Sequence, residues 1–326
     1  MTSIRFPYEE VKEKIQRAEC ITILSHLNPD ADAIGTALGI YSLLKKERTK
    51  RVEVVNGSKA LPLHLDFLPG FNKIKHQIEY GNSLIISCDC GSIDRLGFDL
   101  TGREILNIDH HQSNTQYGSV NIVIADYASS SQVAFELFKE LYTVDADTAA
   151  CFYTALLSDT RYFTTTSVKK EVFDVAHALV EAGAKPDDIA YHLTQRRPLS
   201  SLRILEKALK SLTLHVEARV AVLAVTKEDI EATGATVPDM EGIVDYARSL
   251  VTVEIAIFAM ELDEGIRISL RSKNVDVSQI AFAFGGGGHK VAAGFTMKKS
   301  GLQESIDTIL KKITESGLLN GKNEKK

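Results

Sequence analysis

The sequence predicts an α/β protein: a doubly wound parallel sheet in an N-terminal domain, then a second, smaller α/β domain with a mixed sheet, with a cleft between them. Three observations carry this expectation. Short β-branched runs alternate with helical patterns over residues 8–182. Two of those runs end directly in Asp and a third reaches His after one serine, and beyond Lys185-Pro186 the pattern changes to alternating apolar strands.

The first helix is expected over 8–18. A strand over 20–24 (Ile21-Thr22-Ile23-Leu24) leads through Ser25-His26-Leu27-Asn28-Pro29-Asp30-Ala31-Asp32 into a helix over 32–46. Pro29 biases Asn28 away from helical geometry, and Asp30 or Asp32 can cap the helix. Strands over 51–56, 84–89 and 104–109 follow, then helices over 129–142, 148–157 and 170–182, the last closed by Gly183. A connecting helical stretch over 187–211 breaks at Arg197-Pro198, and the second domain opens with strands over 219–225 and 251–258. The expected division is 1–185, a linker over 186–212, 213–320, and a solvated tail over 321–326.

The chemistry lies in four patches. His26, Asp30 and Asp32 follow the first strand, Asp89 ends the run Leu84-Ile85-Ile86-Ser87-Cys88, Asp109-His110-His111 end a third run, and Asp159 follows an apolar helix. Taken singly, an Asp after an apolar run is a cap or turn residue. Parallel sheets, however, place strand ends on one edge, and clustering so many carboxylates without cations is electrostatically costly. Mixed imidazole and carboxylate donors suit Mn²⁺, Fe²⁺, Co²⁺ or Mg²⁺ better than thiolate-seeking metals, and Mn²⁺ is the first expectation. Two such ions about 3.5–4 Å apart favour in-line displacement at phosphorus.

Through His26-x3-Asp30-x-Asp32, Asp89, Asp109-His110-His111 and Asp159, the chain resembles the DHH phosphoesterases. Phe284-Gly285-Gly286-Gly287-Gly288-His289-Lys290-Val291-Ala292-Ala293-Gly294 likewise resembles the signature of the DHH-associated C-terminal domain. Within that family, size and domain pairing are most similar to the nanoRNase (oligoribonuclease)/pAp phosphatases. The resemblance implies hydrolysis of short oligoribonucleotides and of 3′-phosphoadenosine 5′-phosphate (pAp) to AMP. It places His26 and Asp30 on one metal, Asp32, His110 and Asp159 on the other, and Asp89 between them. Asp109 then orients a histidine, and His111 faces the phosphate or the attacking water. Arg271 and His289 become substrate contacts, beside a phosphate nest formed by Gly285, Gly286, Gly287 and Gly288. The chain departs from the family pattern at Ala31 and Thr36, and at Arg161, where many members have Gly. A cyclic di-AMP phosphodiesterase of the same family is the alternative enzyme, with inorganic pyrophosphatase third. A nucleotide-binding regulator without turnover is the alternative of a different class, and a processive DNA exonuclease would need added modules.

Composition agrees with an ordinary enzyme: 326 residues, 44% hydrophobic and 25% charged, with a net charge of −5. That charge argues against a broad duplex-DNA surface and favours short nucleotides. No apolar run long enough for a membrane and no leader is evident, so a cytoplasmic location is expected, with a homodimer left open. The cluster at Lys45-Lys46-Glu47-Arg48-Thr49-Lys50-Arg51 reads as cations at a helix end. Cys88 and Cys90 alternate away from Asp89 and fill the core, and Cys20 and Cys151 have no paired spacing. Tyr117, Tyr127, Tyr162 and Phe163 are candidates for base stacking, Tyr162 and Phe163 foremost because they adjoin Asp159.

Overall fold

A computed structural model describes residues 6–47, 49–298 and 300–319. The expected tail over 321–326, and Arg48 of the basic cluster, lie outside the described residues. The chain divides into two compact units between Arg196 and Arg197. No helix among the described residues is long and apolar enough to cross a membrane.

The first unit begins with α1 (Tyr8–Arg17), β1 (Cys20–Ser25), α2 (Ala31–Leu44), β2 (Arg51–Val55) and the short β3 (Ile74–Lys75). It continues with β4 (Leu84–Cys88), β5 (Ile105–Asp109), β6 (Val120–Val123), α3 (Ser130–Phe138), α4 (Ala146–Asp159), α5 (Lys170–Glu181) and α6 (Pro186–Thr194). The six strands pair in the order β3-β2-β1-β4-β5-β6, all parallel. β4 and β5 are buried throughout, which is why their sequences read as unbroken apolar runs and not as alternation. The order reverses between β1 and β4, and such a switch point opens a crevice beyond the strands' carboxyl ends.

In α2 every residue except Tyr41 is buried. It lies against α4 through Gly35 and Gly39, one turn apart. A Cβ on Gly35 would stand 2.6 Å from the Cys151 carbonyl oxygen and 2.8 Å from Ala155 Cβ, and one on Gly39 would stand 2.3 Å from the Phe152 ring. Gly35→Ala is therefore expected to destabilise the protein although alanine is the better helix former by about 1 kcal/mol. Overpacking of this kind costs roughly 1–3 kcal/mol, and here backbone must move. A thermal midpoint at or above wild type would refute this reading of the helix contact.

The second unit contains α7 (Leu199–Lys210), β7 (Thr213–His215), β8 (Val220–Val225), α8 (Lys227–Thr233), α9 (Ile243–Arg248), β9 (Ile255–Leu262) and β10 (Gly265–Ser272). α10 (Ser278–Ala283), β11 (Gly287–His289), β12 (Ala292–Met297) and α11 (Leu302–Glu315) complete it. Its sheet runs β11-β12-β10-β9-β8-β7 and is mixed, with only β8 and β9 parallel.

Several expected bounds shift. The strand expected over 251–258 starts at Ile255, because pairing with Val220 sets the register and Val251 lies in a turn, 96% exposed. The helix expected over 129–142 ends at Phe138, whereas α4 extends to Asp159, so that Asp159 occupies its last position. At the basic cluster, Lys46 pairs with Asp145 at 2.7 Å and Lys50 donates to the Ala18 carbonyl at 2.9 Å. Cys88, Cys90 and Cys151 are buried and Cys20 is half-buried; burial pushes the Cys90 thiol up to about 11 and raises the other two buried thiols as well.

Candidate metal centre

The three strand-end patches meet at the switch point. His26 follows β1, and Asp30 is the N-cap of α2, its Oδ1 accepting from the Ala33 amide at 3.0 Å. Asp32 lies inside the first turn of α2 and is buried. Asp89 follows β4 with φ of +55°, a left-handed conformation uncommon for a non-glycine residue and concentrated at functional sites. Asp109 ends β5, and α4 delivers Asp159.

Three sets of side chains have donor atoms all within 4.8 Å of one another: His26, Asp30 and Asp89; Asp32, His110 and Asp159; and Asp89, His110 and His111. Asp89 Oδ2 lies 3.6 Å from His26 Nε2, while its Oδ1 lies 3.7 Å from His110 Nε2. His110 Nε2 is also 3.9 Å from Asp32 Oδ2 and 3.5 Å from Asp159 Oδ2. Both rings are oriented from behind. His26 Nδ1 bonds the Leu27 carbonyl at 2.8 Å, and His110 Nδ1 bonds the Tyr127 carbonyl at 3.2 Å, each leaving Nε2 turned to the carboxylates. Asp109 accepts from His111 Nδ1 at 2.6 Å and from Asn114 Nδ2 at 2.6 Å, so the histidine it orients is His111.

The electrostatics separate these acids into two kinds. Burial works against ionised Asp89 and Asp109, yet hydrogen bonds and charge from the histidines hold both below the usual carboxylate range. Burial likewise opposes a charged His111, but Asp109 and its neighbours push it up to about 9, and Asp89 raises His26 in the same way. In Asp32 and Asp159 the opposing effects win: burial first, with neighbouring carboxylates, pushes Asp32 well up against the Ser130 amide, and pushes Asp159 to about 7 against the charge of His110 and His111. Five carboxylates face three imidazoles, so with all five ionised negative charge is in excess even with every ring protonated. Divalent cations fit this donor set and remove that excess.

Sequence reasoning missed several residues here. Ser130 and Ser131 amides donate to Asp32 Oδ2 at 2.7 Å and Oδ1 at 3.1 Å, and Thr36 Oγ1 donates to Oδ1 at 3.0 Å. The Ser130 hydroxyl reaches Asp89 Oδ1 at 2.9 Å. Arg95 is exposed at the rim, 3.4 Å from His26 Nδ1. The run Ser129-Ser130-Ser131 announces a helix start, which Ser129 caps through the Gln132 amide, but nothing local points it at an aspartate.

Among the stacking candidates, Tyr117 is excluded: its hydroxyl bonds Ser87 Oγ and the Cys90 carbonyl in the interior. Tyr127 packs on the core, and Phe163 packs against Tyr153 and Phe173. Tyr162 remains 43% exposed. Arg161, Tyr162 and Phe163 are consecutively left-handed, with φ of +46°, +58° and +62°, which explains why glycine suits the first of these positions.

In the second unit, Arg271 pairs with Ala292 across β10 and β12, and His289 pairs with the same Ala292 across β11 and β12. Side chains in one lateral row share a face, so Arg271 and His289 stand two strands apart on one face, about 10 Å between backbones. The expected open nest of Gly285, Gly286, Gly287 and Gly288 is corrected at its first two members. The Gly285 and Gly286 amides donate to the Phe282 and Ala281 carbonyls at 3.1 and 2.9 Å, and Gly287 and Gly288 lie in β11. Glycine is also needed for close packing: a Cβ on Gly286 would stand 2.3 Å from the Gly294 carbonyl oxygen.

Known proteins agree with this architecture. Residues 20–156 match the DHH family, N-terminal domain, and residues 209–316 match the DHHA1 domain. The bifunctional oligoribonuclease and PAP phosphatase NrnA of Thermus thermophilus is 30% identical over 90% of this chain and 89% of its own. That of Bacillus subtilis is 22% identical over 87% and 91%. A crystal structure of an exopolyphosphatase-related protein from Bacteroides fragilis superposes with a TM-score of 0.89 at 26% identity, covering 98% of this chain and 99% of that one. The class is thus a phosphoric ester hydrolase. Specifically, the chain belongs to the DHH family, with a DHHA1 domain at its C-terminal side, and phosphoesterases of this family are metal-dependent.

Proposed function

We propose that this protein hydrolyses short oligoribonucleotides to nucleoside monophosphates and pAp to AMP, in the cytoplasm, with two divalent cations, Mn²⁺ foremost. The observation that carries the reading is the set of three overlapping donor groups, two of them sharing Asp89 and two sharing His110, in a chain so similar along its length to NrnA proteins. His26 and Asp30 hold one cation position, Asp32, His110 and Asp159 the other, and Asp89 serves both. When bound, the cations neutralise phosphoryl oxygens and acidify water at neutral pH. Asp109 holds a proton on His111 Nδ1 and fixes that ring for the reacting phosphate. Arg271 and His289 supply charge for a substrate phosphate from their shared row, and Tyr162 offers a face for a base.

The test uses the purified protein with Mn²⁺ and, separately, pAp, a 5′-labelled RNA dinucleotide and pentanucleotide, and cyclic di-AMP, with products separated by chromatography. AMP from pAp together with monomers from both RNAs is the expected outcome. Preference for cyclic di-AMP would replace the substrate assignment, and binding without product would move the protein to a regulatory role. In the same assay Arg271→Ala is expected to raise KM roughly 10- to 100-fold with little change in kcat, the loss of one charge-assisted hydrogen bond of about 1.5–3 kcal/mol. An unchanged KM would remove Arg271 from the substrate site.

A further inference from the structure

Ser130 belongs to none of the patches by which the site is recognised, yet it touches three of the carboxylates. Its amide donates to Asp32 Oδ2 at 2.7 Å, and its hydroxyl lies 2.9 Å from Asp89 Oδ1 and 3.4 Å from Asp109 Oδ1. We propose that Ser130 is a positioning residue that fixes the rotation of the Asp89 carboxylate, so that its two oxygens face two different cation positions. This rests on the two-cation reading above.

The last torsion of an aspartate is broad, so a carboxylate that must present one oxygen to each side needs an external hold. Asp89 Oδ2 points to the His26 group and Oδ1 to the His110 and His111 group, with His111 Nδ1 at 3.4 Å. A hydroxyl has one proton to donate. The shorter contact assigns it to Asp89 Oδ1, which leaves the other lone pairs of both oxygens for cations. The hydroxyl is itself held. Ser130 is fully buried at the first position of α3, its own amide and that of Ser131 are committed to Asp32, and Ser129 caps the same turn. The amino end of α3 also brings partial positive charge to the carboxylates without occupying a place among the cation donors.

The experiment titrates Mn²⁺ into cation-free, full-length wild type, Ser130→Ala and Ser130→Thr by calorimetry, and measures pAp hydrolysis against Mn²⁺ concentration. Ser130→Ala is expected to weaken Mn²⁺ binding about 10-fold or more, as removal of a group behind a metal ligand does, with a smaller loss in kcat at saturating Mn²⁺. Ser130→Thr, which retains the hydroxyl, is expected to recover most of the affinity. Equal Mn²⁺ affinity in wild type and Ser130→Ala overturns the role of Ser130 alone. Absence of Mn²⁺ binding by wild type overturns the two-cation reading itself. Circular dichroism accompanies each variant. Should Ser130→Ala fail to fold, Ser130→Cys, of similar shape but a weak donor, is judged by the same criterion.

Discussion

Asp89→Ala is expected to abolish hydrolysis while leaving the protein folded. Asp89 is the carboxylate common to two donor groups, with one oxygen toward His26 and the other toward His110, so its removal disturbs both cation positions together. Charge stabilisation by the cations is worth several kcal/mol, and at 1.36 kcal/mol per decade its loss lowers turnover by roughly 10³-fold or more. The fold is expected to survive because Asp89 is not one of the residues that build the hydrophobic core. Alanine at φ of +55° carries a strain of roughly 1–2 kcal/mol, opposed by removal of a buried charge. Asp89→Asn separates these effects, since it tolerates the backbone and keeps the shape but lacks the charge. Turnover at saturating Mn²⁺ and far-ultraviolet circular dichroism decide the matter. Undiminished turnover by either variant would end the assignment of Asp89 to the cations.

Dialysis against a chelator is the second large effect. Hydrolysis is expected to cease and to return on adding Mn²⁺, with the thermal midpoint falling in between. Without cations the first unit holds Asp32 and Asp159 with their carboxyls pushed up by burial and by one another. A cation at 100 times its dissociation constant stabilises by about 2.7 kcal/mol. For a unit of this size, at about 2–4 °C per kcal/mol, the midpoint should drop by roughly 5–10 °C. Full activity in excess chelator, with an unmoved midpoint, would show that the carboxylate cluster has no cation to hold.

Much of this site was readable because each patch is written into the end of an element. β1, β4 and β5 are buried parallel strands, so their apolar runs are continuous, and each stops where the chain leaves the sheet. The strand β10 was equally readable: Ile266-Arg267-Ile268-Ser269-Leu270-Arg271 alternates in and out, and its burial alternates likewise. The glycine run was only partly readable. Glycine signals backbone freedom and close packing equally well, and only the pairing of Gly287 and Gly288 with Gly294 and Ala293 shows which applies.

The sequence by itself determined the α/β class, the strand ends that carry His26, Asp89 and Asp109, and the donor types that suit hard divalent cations, because periodicity and residue chemistry are local properties. The tertiary structure decided which of those donors share a position, that His111 is the histidine held by Asp109, and that Arg271 and His289 lie in one row. It also decided that α3 turns its first amides and the Ser130 hydroxyl onto Asp32 and Asp89, across separations of 98 and 41 residues. Contacts at that range arise from sheet order and helix packing, which no short stretch of the chain encodes.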